Sequence, residues 1–350
     1  MRVVGIDPGT GSFDFFGMDD GETILDRSVP VPEIAHDPLM LLDLLRGLFP
    51  MDIIVGPSGY GLPPTPIKDI GERELTLMVP DDKSIPLYDG IRRVIRLMQA
   101  EGFPVYFTPG VIHLRTVPAY RKANKMDMGT ADKVCCAALA IRDQAEHHNI
   151  AYGETSFVLV ELGYAFTAVL AVDKGRIVDG LGGTSGGPGF ISPGSMDGEL
   201  AVRLGEFPGV VLFSGGAKDM SGKSDLTPEE LAANQATYED AWNMLVESIV
   251  KGVAAMCVSV ERPREVLLSG RLSEIPAIAT ALVDRLRRFG DVRKVGRHAA
   301  TAKEAAEGAY IVGEGLLGGK YRDIVDCLDL YGAGGTMYDH VIVSGGLRKP

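Results

Sequence analysis

Residues 3–8 read Val-Val-Gly-Ile-Asp-Pro, and Gly9-Thr10-Gly11-Ser12 follow directly. An apolar run that ends in a carboxylate is a buried strand delivering Asp7 to the open end of a sheet. The turn behind it can aim backbone N–H groups and hydroxyls at a phosphate. Asp7 can hold a hydrated metal ion beside that phosphate. A β-hairpin with an ordinary Gly-rich turn has the same pattern, because Phe13, Phe15 and Phe16 start a second apolar run.

The pattern then occurs again. Residues 155–163 form another apolar strand, ending in Glu161 and Gly163. Two β-like runs follow, 165–172 and 176–181, joined at Asp173-Lys174-Gly175, which is a strong hairpin signal. Two related domains facing each other would bring Asp7 and Glu161 to opposite walls of one cleft. Coincidence is the alternative, and the matched context weakens it.

Several glycine-rich stretches suit a ligand. Residues 180–198 are crowded with glycine, including Gly182 and Gly183, and interleave Thr184, Ser185, Ser192 and Ser195. Such a loop permits close backbone approach. Ser269-Gly270-Arg271 closes a third buried strand, 265–268. Residues 56–64 form a Gly/Pro-rich loop after a short strand, where open α/β sheets place ligand sites; a plain surface loop fits equally well. Residues 111–128 carry His113, Arg115, Arg121, Lys122 and Lys125, the most basic stretch of the chain. A solvated face is the ordinary explanation of such a run. Thr130 reads as an N-cap and Asp132 as an acid at the positive end of a helix dipole, which explains Asp132 without catalysis. Cys135, Cys136, Cys257 and Cys327 lack metal-ligand spacing and read as small apolar residues. His147 and His148, neighbours on a helix, should diverge rather than share a metal.

The elements that must position these groups fit two domains. The chain has 350 residues, 45% hydrophobic, with 44 glycines, more than one core usually holds. Net charge is −12, which argues against broad binding to nucleic acid or anionic lipid. No signal peptide and no bilayer-length apolar run are visible, so a cytoplasmic location is expected. Residues 1–30 read as three antiparallel strands. A helix opens at Asp37 or Pro38. Residues 64–88 are poorly patterned and read as an inserted flap or ribbon. Helices are expected over 88–101, 131–147, 228–260 (two, or one bent), 276–289 and 303–317. Val210 to Phe213 reads as a strand running into a glycine turn. The helix at 303–317 carries small residues that permit close packing against the neighbouring domain. The last residues read as an appended short helix and strand.

In that order the segments resemble the superfamily of sugar kinases, heat-shock ATPases and actin. Residues 5–12 match its first phosphate segment, 131–147 a connecting helix, 161–166 the second phosphate segment, 267–271 the adenosine segment, and 304–317 the second connecting helix. Residues 179–183 (Asp-Gly-Leu-Gly-Gly) and 187–194 (Gly-Pro-Gly-Phe-Ile-Ser-Pro-Gly) are similar to the acetate and butyrate kinase branch, suggesting an archaeal family placed beside those enzymes. The resemblance implies an α/β fold: two ribonuclease-H-like domains, each a mixed five-stranded sheet flanked by helices, with a ligand cleft between them. The domains would be 1–150 and 151–320, with 321–350 appended. ATP and Mg²⁺ are the implied cofactors. Asp7 would position the hydrated Mg²⁺. Gly9, Thr10, Gly11 and Ser12 would contact the β- and γ-phosphates, and Glu161 with Gly163 would form the opposing wall. Ser269, Gly270 and Arg271 would border the adenosine. Gly182, Gly183 and Thr184 lie in the glycine-rich stretch beside the nucleotide.

Three positions depart from the superfamily pattern. Phe13 and Asp14 stand where its kinases commonly carry a basic residue, Glu161 replaces an aspartate, and Gly270-Arg271 replaces two glycines. Arg115 and His113 are the candidates for phosphate stabilisation, because they are basic and lie in the first domain. The leading expectation is phosphoryl transfer from ATP to a small carboxylate or hydroxyl acceptor, by positioning and charge neutralisation. A non-kinase ATPase or nucleotide sensor is the second reading. A junction nuclease is the third, since residues 5–10 also resemble the first strand of Holliday-junction resolvases. The expected partner is a small molecule rather than nucleic acid or membrane, and a homodimer is compatible with the resemblance.

Overall fold

The computed structural model describes residues 1–37, 39–56 and 58–344. Pro38, one of the two expected helix starts, and Pro57 of the Gly/Pro-rich loop lie outside them, as do tail residues 345–350. Strand β1 (Arg2–Pro8) pairs antiparallel with β2 (Ser12–Asp19), and β2 with β3 (Glu22–Pro30). Asp20 and Gly21 turn the second hairpin with φ of 46° and 92°, conformations that Asp and Gly tolerate. Strand β4 (Ile53–Val55) lies parallel to β1. Strand β5 (Gly61–Pro66) forms the far edge, antiparallel to β6 (Val105–Pro109), which runs parallel to β4. The first sheet thus has the order β3-β2-β1-β4-β6-β5.

In the second half, β7 (Ser156–Leu162), β8 (Thr167–Asp173) and β9 (Arg176–Leu181) form an antiparallel meander. Parallel to β7 run β10 (Glu265–Ser269) and then β11 (Asp291–Lys294), giving the order β11-β10-β7-β8-β9. The two sheets share one topology, with β1 and β7 in equivalent places. The expectation of five strands per sheet holds for the second and needs correction for the first, which has six. The extra strand is β5, drawn from the Gly/Pro-rich loop. Its Pro63, Pro64 and Pro66 cannot donate to a ladder, so only an edge can hold them.

Seven helices matter to the site: α1 (Glu72–Met78), α2 (Pro86–Ala100), α3 (Ala131–His148), α4 (Glu239–Met256), α5 (Pro276–Leu286), α6 (Glu304–Leu316) and α7 (Arg322–Cys327). Helix α2 opens on Pro86 and buries Ile91, Val94, Ile95 and Met98, one face of a 3.6-residue period. Helix α3 ends at Asn149 in the left-handed region, φ 50°. Helices α3 and α6 pack together, α6 against β1, β2 and β4, and α3 against β6, β7 and β8. Small residues allow this approach: a Cβ on Gly308 would overlap the Cys135 carbonyl oxygen, and one on Gly5 would overlap that of Ala306. One hydrophobic core therefore runs from Val3 and Ile53 of the first sheet to Leu159 and Leu170 of the second.

Four further expectations need correction. Residues 64–88 are no flap: a 3-10 turn at Ile67–Asp69 and helix α1 bury Ile67, Leu75, Leu77 and Met78 in the first core. Val210 to Phe213 lie in a 3-10 helix, Gly209–Phe213, rather than a strand. The basic stretch 111–128 is no solvated face: Val111, Ile112, His113, Leu114, Val117 and Lys122 are buried. The tail is not peripheral, and among its described residues it has α7 and a 3-10 turn at Leu330–Gly332 but no strand. Its Ile324, Val325, Leu328 and Leu330 sit in the shared core.

Candidate functional site

Strands β1 and β7 end in Asp7 and Glu161, and both buried carboxylates line one cavity of about 190 Å³ between the sheets. Gly9, Thr10, Gly11, Gly163, Gly183, Thr184 and Arg271 line it as well. Ser12, Gly182, Ser269 and Gly270 stand behind the lining. The Arg271 guanidinium donates to Ser12 Oγ at 3.1 Å, bridging the second sheet to the first turn. Ser12 Oγ donates in turn to Asp14 Oδ2 at 2.8 Å. Gly270 has φ 85°, and a Cβ there would lie 2.6 Å from Glu161 Oε1. A Cβ on Gly182 would overlap the Asp127 carboxylate. Ser269 pairs with Glu161 across the β10–β7 ladder.

Arg115 and His113 are placed elsewhere. Arg115 is exposed and pairs with Asp329 at 3.1 Å. The His113 ring is buried, with Nδ1 3.3 Å from the Gly110 carbonyl oxygen. Neither lines the cavity.

Of the three cations lining the cavity, Arg271 was selected by the sequence reading, and Lys133 and Lys303 were not. Lys133, in the first turn of α3, places Nζ 2.7 Å from Glu161 Oε2 and also pairs with Asp132. Asp132 therefore does more than favour the helix dipole: it faces the cavity with Lys133. Thr130 holds the N-cap position of α3, but its hydroxyl turns to the Asp132 carboxylate instead of capping a backbone N–H. Lys303, just before α6, reaches back to Asp14 with Nζ 2.8 Å from Oδ2. A Cβ on Gly9 would lie 2.9 Å from the same Nζ. A cation thus reaches Asp14 from a residue far along the chain.

The loop before Lys303 is fixed by two carboxylates. Asp26 on β3 accepts the backbone N–H groups of Ala300, Thr301 and Ala302 at 2.6–3.1 Å. Glu307 on α6 accepts those of His298 and Ala299, and pairs with Arg142 at 2.6 Å.

Charge is crowded here. Burial pushes the Asp7 carboxyl up to about 7, although the nearby Lys303 opposes that. Burial also raises Glu161 and Asp127, against Lys133 in the first case and the Gly129 and Thr184 N–H groups in the second. Asp132 goes the other way: burial would raise it, but the Lys133 charge and hydrogen bonds outweigh burial and hold it low. Lys133, flanked by Asp132 and Glu161, stays charged despite burial. Cys135 and Cys136 line the floor, and burial pushes both thiols up, which makes them wall rather than nucleophile.

The site is roofed at its outer end. Asp82 Oδ2 accepts the Gly209 N–H at 3.0 Å and Ser84 Oγ accepts that of Val210 at 3.1 Å. These bonds draw the 3-10 helix of the second half over the first, and Leu212 and Phe213 complete the lining.

At the far end of α3, the donor atoms of His147, His148 and Glu265 lie within 4.8 Å of one another, closer than expected for adjacent histidines. Glu265 already accepts from Arg293 at 2.6 Å and Gln144 at 2.8 Å, so the group is an ion-pair cluster. No helix among the described residues is long and apolar enough to cross a membrane.

Two sheets of one topology, joined by α3 and α6 around a cleft, are an architecture found in several solved kinases. Acetate kinase from Entamoeba histolytica is similar with a TM-score of 0.61, 12% identity, and coverage of 83% of this chain and 87% of that one. A propionate kinase from Francisella tularensis gives 0.62 and 14%, over 88% and 98%. A protein from Listeria monocytogenes described as a putative N-acetylmannosamine kinase gives 0.53 and 16%, over 89% and 97%. At these identities the likeness shows the fold. The chain belongs to the family described as "Protein of unknown function (DUF1464)", whose profile matches residues 5–343. No curated protein matches the sequence.

Proposed function

We propose that this protein is an ATP-dependent phosphotransferase that moves the γ-phosphoryl group to a small acceptor in the cleft. The observation that carries the reading is the convergence of Asp7 and Glu161, from equivalent strands of two like sheets, on one cavity with Lys133, Arg271 and Lys303. The kinases with the same fold support it.

The residues present fit the implied Mg²⁺. The lining holds Asp7, Asp127, Asp132, Glu161 and Glu304 against Lys133, Arg271 and Lys303, an oxygen-rich set suited to a hard cation. Asp7 would hold the ion through its water, and when bound it would neutralise charge on the phosphates. The chain's own groups do the rest. Gly9, Gly11 and Gly163 line the cavity and, having no side chain, would let phosphate oxygens approach the backbone. Lys303 and Lys133 offer positive charge from opposite sides, preorganised by Asp14 and Glu161. Arg271 guards the nucleotide side. Asp127 faces the cavity from the acceptor side and can receive a proton. A non-kinase ATPase or nucleotide sensor is the second reading, and Lys303 beside Gly9 favours the first by offering a cation near the first turn.

The test is calorimetric titration with ATP, with and without Mg²⁺, for the wild type and Asp7→Asn. Magnesium-dependent binding that the variant loses is expected. Absence of nucleotide binding in the wild type would end the kinase reading.

A further inference from the structure

The cavity has a second region that takes no part in holding phosphate. Met78, Val79, Leu87, Ile91, Leu212 and Phe213 line it. The Phe166 ring meets Phe213 edge-on at 5.0 Å between centroids. Its polar groups include Asp127 with the Thr184 hydroxyl on it, Ser58, whose hydroxyl is taken up by the Gly56 carbonyl and the Thr108 N–H, and the hydroxyls of Tyr60 and Tyr88, which are hydrogen-bonded to each other. The bonds of Asp82 and Ser84 to Gly209 and Val210 close this region from above.

No lining cation forms an ion pair with Asp127, the acid of this region, although the Lys133 charge is felt there. The lining cations are Lys133, Arg271 and Lys303, and each is engaged on the phosphate side, by Asp132 and Glu161, by Ser12, and by Asp14. An acceptor carboxylate placed here would face the Asp127 carboxylate, while the cation whose charge reaches Asp127, Lys133, is already paired with Asp132 and Glu161, and burying a poorly compensated charge is unfavourable. A sugar fares little better, because its ring hydroxyls would lie unpaired against Met78, Val79, Leu87 and Ile91.

We infer that the acceptor is an uncharged alcohol with a compact apolar body. The inference rests on the phosphotransferase reading and narrows the acceptor within it. In the transfer, the alcohol oxygen forms a bond to the γ-phosphorus and its proton passes to the Asp127 carboxylate. The bond from the γ-phosphorus to the bridging oxygen breaks, and ADP leaves with that electron pair. One Asp127 oxygen accepts from Gly129 at 2.9 Å and the other from Thr184 at 3.1 Å, which fixes the carboxylate while leaving lone pairs for the acceptor.

The experiment compares acceptors that share a carbon skeleton. The full chain is given Mg-ATP with 3-methylbutanol or 3-methylbutanoate, and with benzyl alcohol or benzoate; acetate and glucose serve as references. ADP release is followed, phosphate monoesters are read by phosphorus NMR, and acyl phosphates are trapped as hydroxamates. The expected result is at least about tenfold stimulation by an alcohol, with monoester formed and no hydroxamate. Stimulation by the acids or by glucose in preference to the alcohols overturns the inference. So does intact Mg-ATP binding with no alcohol turned over. Absence of Mg-ATP binding, measured separately, overturns the phosphotransferase reading itself. A second arm uses Leu87→Arg at a half-buried lining position. It should shift the preference toward the acid of each pair about tenfold, and an unchanged preference in a folded variant counts against the inference.

Discussion

Lys303 and Asp14 form a 2.8 Å ion pair at the closed end of the cleft, with Asp14 fully buried. The second Asp14 oxygen has no hydrogen-bond partner. A carboxylate in that position is costly without its cation. Its presence makes sense as the anchor that points the Lys303 ammonium at Gly9.

Replacing Lys303 by Met should therefore do two separable things. It strands the Asp14 charge, lowering stability by about 3 kcal/mol. It also removes a preorganised charge, lowering turnover about 10²-fold or more. The double variant Lys303→Met/Asp14→Asn should regain most of the stability in urea denaturation and none of the turnover. Recovery of both would show that Lys303 only serves the fold.

Asp26 acts at one remove. It touches nothing in the cavity, yet it holds the three N–H groups that lead into Lys303. Asp26→Ala should speed hydrogen exchange over 298–303 and lower kcat several-fold, while ATP affinity changes little. Asp26→Asn keeps an acceptor and should restore part of the rate. Faster exchange with unchanged kcat would separate the loop from catalysis.

His113 predicts an acid-sensitive fold. Burial pushes its imidazole down to about 4 from an ordinary 6.5, Lys122 and His340 add to that, and the Gly110 carbonyl and Asp339 oppose it. Between those pH values the unfolded chain binds the proton and the folded one does not, so stability falls as pH drops from about 6.5 to 4. The loss from this group is on the order of 3 kcal/mol. His113→Asn should flatten the denaturation profile over that window, and a slope equal to the wild type's would exclude His113 as its source.

The α3–α6 contact makes an opposed pair of glycine predictions. Gly308→Ala puts a methyl onto the Cys135 backbone and should cost about 1–3 kcal/mol. Gly90 lies inside α2 with open space at its Cβ, so Gly90→Ala should add about 0.5–1 kcal/mol. Thermal unfolding of the two variants should move in opposite directions.

Part of this site was legible in the sequence because it is local. A strand, a carboxylate and a glycine turn occupy consecutive residues at 3–11 and again at 156–163, so both halves announce themselves. Gly270 was legible for the same reason. Lys133 was not, because Asp132 beside it already had a helix-dipole explanation and only the folded chain brings Glu161 to its ammonium. Lys303 was hidden further, since its partner lies in the other half of the sequence. Arg115 and His113 were chosen for charge alone, and charge does not reveal that Asp329 satisfies one and that burial neutralises the other. Residues 64–88 looked patternless because short turns and prolines interrupt a segment whose buried side chains, such as Ile67 and Met78, serve a core built elsewhere.

The lodging of α6 against β1 bears on how the protein is made. Strand β1 leaves the ribosome about 300 residues before the helix that covers it. Until α6 emerges, Val3 and Val55 lack the neighbours that bury them around Gly313. The tail side chains Ile324, Val325 and Leu328 arrive later still. The nascent first half must therefore wait with an apolar sheet face uncovered, a state prone to aggregation. Contacts this distant along the chain also slow folding. A gene split near residue 150 should yield two fragments that are insoluble apart and recover when co-expressed.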